Sequence, residues 1–176
     1  MSNQLVIAAL GQDRPGLVDK LSGWILDSGC NIADSRMMVL GGEFAVLLLV
    51  NGNWNSLAKL ESQLGQTEKQ LGMNISVKRT SKKEQRGNLL PYAVDVVALD
   101  HPGIVHNLAG FFSRRSINIQ DLSTATYAAA HTGTMMFSVH MILDVPADTH
   151  IATLREEFLE FCDRLNLDAV IEPIKG

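Results

Sequence analysis

Asp13-Arg14-Pro15-Gly16-Leu17-Val18 and, 87 residues later, Asp100-His101-Pro102-Gly103-Ile104-Val105 are two copies of one pattern. The first runs on through Leu21, Gly23 and Trp24 to Asn31-Ile32 and Asp34. The second runs on through Leu108, Gly110 and Phe111 to Asn118-Ile119 and Asp121. No gap is needed over these 22 positions. A repeat of this length governs the reading of the chain, because each copy must be one structural unit.

Both copies carry the same order of signals. An apolar run (Leu5–Leu10; Tyr92–Leu99) reads as a buried strand. Asp-x-Pro-Gly then opens an amphipathic helix, with Asp expected as cap and Pro tolerated in the first turn. Leu17, Leu21, Trp24 and Ser28 form one helical stripe; Ile104, Leu108, Phe111 and Phe112 form the other. Gly29 suits a left-handed helix end, and Ser116 in its place costs about a kcal/mol if that geometry is kept. Two strands follow, Ala33–Leu40 with Glu43–Val50 and Ile119–Tyr127 with Gly133–Leu143, the first pair joined by a tight Gly41-Gly42 turn. Leu57, Leu60, Leu64 and Leu71, and Ile151, Leu154, Phe158, Cys162 and Leu165, predict second helices. Asn74–Thr80 and Asp168–Ile174 predict closing strands. The fold class is α+β, two ferredoxin-like βαββαβ units, each an antiparallel sheet with its helices on one face.

At 176 residues, the chain has room for two such small domains. The expected division is 1–80, a basic linker 81–90 and 91–176. Residues 1–80 hold seven acidic and seven basic side chains, the linker carries +2, and residues 91–176 carry −6. A protein that grips DNA needs a basic face to displace counterions, and the one basic cluster (Lys78, Arg79, Lys82, Lys83, Arg86) falls at the linker. Direct nucleic-acid binding is therefore not expected. No apolar run approaches the ~20 residues of a membrane span, and Met1-Ser2-Asn3-Gln4 lacks a signal-peptide layout, so no membrane contact and a cytoplasmic location are expected. Cys30 and Cys162 alone cannot make a disulfide framework.

A βαββαβ unit with Asp-Arg-Pro-Gly after its first strand and Cys-Asn-Ile at its second resembles the ACT domain. Two of them in one chain, with the opening Leu5-Val6-Ile7-Ala8-Ala9-Leu10-Gly11-Gln12 and the stretch Asn31-Ile32-Ala33-Asp34-Ser35-Arg36-Met37, resemble the glycine cleavage system transcriptional repressor family. That resemblance implies a bacterial regulator that senses a small amino acid, glycine in this family. It implies repression of the glycine-degrading enzymes through a LysR-type transcription activator, with no cofactor and no catalysis.

The resemblance also points to ligand contacts. Asp13, Arg14, Pro15, Gly16 and Asp100, His101, Pro102, Gly103 lie at helix N-termini, whose free N–H groups suit a carboxylate. The plainer reading is a capped turn. Asn31 and Asn118 begin the second strands, where they are expected beside those loops; they either meet a ligand or relieve the turn after the helix. Arg14 against His101 pits a permanent charge against a titratable one, or marks two solvated loop residues. None of the five histidines pairs at i, i+4, so no metal site is expected, and His140 reads as a core or interface residue. Phe137, Val139 and Met141 read as core packing. The small size of each unit leaves a homo-oligomer open. Two rival functions also remain: a regulatory subunit docking on a metabolic enzyme, and an enzyme using Asp100 and His101.

Overall fold

The computed structural model describes residues 4–81 and 88–174, which form two compact units. The first contains β1 (Gln4–Gln12), α1 (Leu17–Asp27), β2 (Asn31–Leu40), β3 (Glu43–Asn51), α2 (Trp54–Leu71) and β4 (Asn74–Thr80). The second contains β5 (Leu89–Leu99), α3 (Ile104–Ser113), β6 (Asn118–Ala128), β7 (Met135–Pro146), α4 (Ile151–Arg164) and β8 (Asp168–Pro173). Their sheets have matching orders, β2-β3-β1-β4 and β6-β7-β5-β8, with every pairing antiparallel. Each is the expected α+β unit. Among the described residues, no helix is long and apolar enough to cross a membrane.

Each unit closes its own core. In the first, Leu5, Ile7 and Ala9 of β1 and Phe44, Val46, Leu48 and Val50 of β3 face Leu17, Leu21, Trp24, Ile25, Leu57, Leu60 and Leu71. Strand alternation supplies one wall and helical spacing the other. In the second, Val94, Val96, Val139, Met141 and Leu143 meet Ile104, Leu108, Phe111, Phe112, Leu154, Phe158 and Cys162. Phe137 is half-buried against that core, so the core-packing reading of its strand holds.

Several boundaries move. β5 starts at Leu89 rather than Tyr92, because Leu89 and Leu90 pair with Pro146 and Val145 of a longer β7. Pro91 lacks the N–H of an inner strand, which makes the strand read as starting after it. Residues 82–87 of the expected linker, including Lys82, Lys83 and Arg86, lie outside the described residues. Gly41 and Gly42 have φ of 58° and 88°, the all-positive backbone of a two-residue hairpin turn.

Ser116 keeps the glycine-like geometry, with φ 56° against 75° for Gly29. Ser116→Gly is therefore expected to stabilise the second unit by about 1 kcal/mol in urea titrations. A variant less stable than the parent would show that the serine side chain offsets its own strain.

The two sheets differ at an edge. β2 leaves Met37, Met38, Val39 and Leu40 half or more exposed on an edge strand. β6, its counterpart, presents Thr124, Ala125, Thr126 and Tyr127 at the matching positions, of which only Tyr127 is large and apolar. His140 is on the exposed face of its sheet, 2.7 Å from Asp95, rather than in the core. An apolar strand still alternates, and His140 falls on its outward phase.

Candidate functional site

The two Asp-x-Pro-Gly loops share one backbone geometry. Gly16 (φ 89°, ψ 0°) and Gly103 (φ 95°, ψ −3°) are the N-caps of α1 and α3, and neither helix start receives a side-chain cap. The expected caps are not caps: Asp13 and Asp100 lie three residues before those glycines, and Pro15 and Pro102 precede the helix. The backbone N–H of Asp13 instead donates to Gly42 O (3.0 Å), and that of Asp100 to Met135 O (3.1 Å). Each loop is thus tied to the hairpin end of its sheet. The first-turn N–H groups of α1 and α3 are left for an outside acceptor. Only glycine adopts these φ values without strain.

Arg14 and His101 diverge. The Arg14 guanidinium donates to the Leu71 carbonyl at the C-terminus of α2, where it satisfies an orphan carbonyl and complements the helix dipole. His101 is exposed, its Nδ1 3.1 Å from the carbonyl of Pro102.

Asn31 and Asn118 are not beside these loops. Asn31 pairs with Asn51, which faces Gln4 at the start of β1; the loop leaves β1 after Gln12. Eight residues of strand separate the two, roughly 25 Å. Asn118 likewise sits at the Asp144–Pro91 end of its sheet, and Asp100 follows Leu99 at the other. The reason is topological: α1 and α3 run back along the sheet, so β2 and β6 begin where β1 and β5 began. No ligand the size of an amino acid can touch both the loop and the asparagine of one unit.

The asparagines line depressions of their own. One of about 310 Å³ lies between α1 and β2 and includes Ser22, Leu26, Cys30, Asn31 and Ile32. Another of about 420 Å³ lies between α3 and β6 and includes Ala109, Ser113, Ile117, Asn118 and Ile119. These five pairs are related by the same 87-residue shift. The i, i+4 spacing of Ser22 and Leu26, followed by Asn31, was a signal available in the sequence. Asn118 Nδ2 donates to Asp144 (3.3 Å), whereas Asn51, at the matching position of the first unit, is bonded by Gln4. Burial raises the pKa of the Cys30 thiol, which makes it a neutral wall rather than a nucleophile.

Residues 3–78 match an ACT domain model, and residues 94–157 an AHAS small subunit-like ACT domain. The chain is 31% identical to the glycine cleavage system transcriptional repressor of Escherichia coli (strain K12), over 97% of this chain and 90% of that protein. It belongs to the glycine cleavage system transcriptional repressor family. A crystal structure assigned provisionally to such a repressor superposes with TM-score 0.76 at 28% identity, covering 100% of this chain and 99% of that one. An unknown protein from Galdieria sulphuraria gives TM-score 0.80 at 25% identity, covering 99% and 100%.

Membership of the repressor family makes this a regulatory ACT-domain protein. Asp100 and His101, the residues of the enzyme alternative, are neighbours in the loop before α3, with the His101 ring nitrogen toward the Pro102 carbonyl. For a repressor family member, the informative features are the two loops of common geometry and the two asparagine-lined depressions.

Proposed function

We propose that this protein is a glycine-responsive repressor that acts through a LysR-type transcription activator, without catalysing a reaction and without gripping DNA itself. The observation that carries the reading is the pair of α-helix N-termini, each opened by a left-handed glycine and left without a side-chain cap. Such an end offers N–H groups and partial positive charge to a carboxylate. Glycine carries the carboxylate that such an end accepts, and the E. coli relative supplies the name of the regulated system. Asp13–Gly16 and Asp100–Gly103 are the proposed carboxylate contacts. Asn31 and Asn118 form separate contacts at the far ends of the sheets.

Charge placement supports an indirect mechanism. The strand registers put Asp95, Asp121, Asp144, Asp168 and Glu172 on the face of the second sheet turned away from its helices. That face repels phosphate. Regulation then requires that glycine bind two states of the protein unequally, since equal binding shifts nothing.

Thermal unfolding with each of the twenty amino acids tests this. Glycine has five heavy atoms, so a ceiling of ~1.5 kcal/mol per atom puts its best Kd near a few micromolar. At 100 times Kd it should stabilise the protein by about 2.7 kcal/mol. Gly16→Val with Gly103→Val should abolish that response. No shift with glycine, or a salt-sensitive gel shift of promoter DNA by the protein alone, would overturn the proposal.

A second reading has its own support. The second unit matches an ACT module named for a small subunit, which favours a regulatory subunit docking on a metabolic enzyme. Affinity capture decides between them: recovery of an amino-acid enzyme with no transcription factor selects this alternative.

A further inference from the structure

The outer face of the first sheet, turned away from α1 and α2, is apolar at its centre. Strand register places Val6, Ala8 and Leu10 of β1 beside Leu49, Leu47 and Ala45 of β3. Met38 of β2 lies next to Ala45 on the same face. Leu10, Met38 and Leu47 are each about half exposed. A depression of about 410 Å³ opens there, and its lining includes Ala8, Leu10, Arg36, Ala45, Leu47 and Ser76. A strand with one solvated face alternates apolar and polar residues. β3 instead runs Phe44-Ala45-Val46-Leu47-Leu48-Leu49-Val50 without a break, the pattern of a strand covered on both sides.

The second unit shows the same face solvated. At the matching register positions it has His140 for Leu47, Asp95 for Ala8, Ser138 for Ala45 and Glu172 for Lys78. His140 and Asp95 lie 2.7 Å apart where the first unit sets Leu47 beside Ala8. The fold therefore does not demand an apolar outer face, and the first unit's face calls for a cover.

We propose that this face is the interface of a homodimer, in which the first sheets of two copies pack face to face. The two-fold axis runs along the strands, between β1 and β3. Each β1 residue then lies over its own register partner in β3 of the second copy, and β2 lies over β4. Leu10 meets Ala45 and Leu47 meets Ala8, so a large side chain enters a small site at four points around the axis. Asp34 shares a row with Leu49, Val6 and Lys78, and it comes to lie over Lys78 of the second copy. Opposite charges thus meet at both borders. The flexible lysine stem absorbs the offset of sheets that cross at ~30°. Asp34 also accepts from Arg36 (2.6 Å), which completes a charged rim around the apolar centre. An axis across the strands would set Glu43 over Leu49 and Asp34 over Leu40, charge against apolar surface. Four strands ~4.8 Å apart and four rows ~6.7 Å apart cover about 500 Å² on each copy, about 1,000 Å² in all, which reaches the size of a specific interface.

Sedimentation equilibrium of the full chain, without glycine, tests this. The parent should show twice the 19.2 kDa of one chain at a concentration of about 100 µM, with a Kd on the order of 10 µM or tighter. Leu47→Glu, at an exposed site outside both cores, should weaken the dimer at least about 100-fold by burying two carboxylates. Asp34→Lys and Lys78→Asp should each weaken it about tenfold, because like charges then face each other at both borders. An equal mixture of these two variants should regain the parent's dimer, since each chain offers the other the opposite charge. Circular dichroism at parent values shows each variant to be folded. The proposal fails if the parent is monomeric at that concentration, which would point to a cover from another protein. It fails if Leu47→Glu leaves the dimer intact, as pairing through the β2 edge would. It also fails if the mixture stays as weak as its components.

Discussion

Phe112→Ala should cost the second unit about 3–5 kcal/mol, most of the stability a unit of this size holds. Phe112 is fully buried. Its ring meets Phe111 edge-on at 5.2 Å and Phe158 at 5.1 Å. Truncation therefore removes both the transfer free energy of the ring and two aromatic contacts, and leaves a cavity between α3 and α4 that rigid neighbours cannot refill. Tyr92 and Tyr127 lie in the second unit, and Trp24 and Trp54 in the first, so urea unfolding can be followed for each unit separately. The tyrosine-reported midpoint should fall sharply, or the unit should be unfolded before urea is added. A loss below about 1 kcal/mol would mean that Phe112 is not at the centre of that core.

The second large effect concerns Cys162. Burial, with a smaller contribution from the Asp163 charge, pushes its thiol pKa from 9.0 up to about 12. Three pH units reduce the thiolate fraction about a thousandfold, and the thiolate is the reactive form. With Cys30→Ala leaving one thiol, alkylation at pH 8 should be about a thousand times slower in the folded protein than in urea. A difference under tenfold would show Cys162 to be accessible. The sign of the pH effect on stability follows from the same shift. Below pH 9 both states keep the proton and the contribution is whole. Between 9 and about 12 the unfolded chain releases a proton that the folded state retains, so stability falls as pH rises through that window.

Most of the architecture was legible because periodicity reports burial. Leu17, Leu21, Trp24 and Ser28 were placed on one stripe by spacing alone, and all four are buried. Ser116 stands where the first unit has Gly29, and its φ of 56° is the strain that this exchange implies. What did not come through was direction. Nothing local to Asn31 says at which end of the sheet it lies; that follows only from α1 reversing the chain before β2 begins. Asp13 failed as a cap for a related reason, since a left-handed Gly16 starts the helix three residues later than Asp-x-Pro-Gly suggests. Hydrogen bonds of Arg14 and Asp13 to Leu71 and Gly42 depend on groups 57 and 29 residues away in sequence.

The exposed apolar edge of β2 limits what kind of aggregate this protein can build. Sheets that grow without end need an adhesive strand on each side, so that every added copy offers a fresh surface. Here Met37–Leu40 form one adhesive edge, while β4, at the opposite edge of that sheet, carries Lys78 and Arg79. Two β2 strands laid against each other would consume both sticky segments and leave charged borders. Handling losses through this edge should therefore end in discrete pairs rather than fibres, and mild oxidation of Met37 and Met38 to polar sulfoxides should suppress even those.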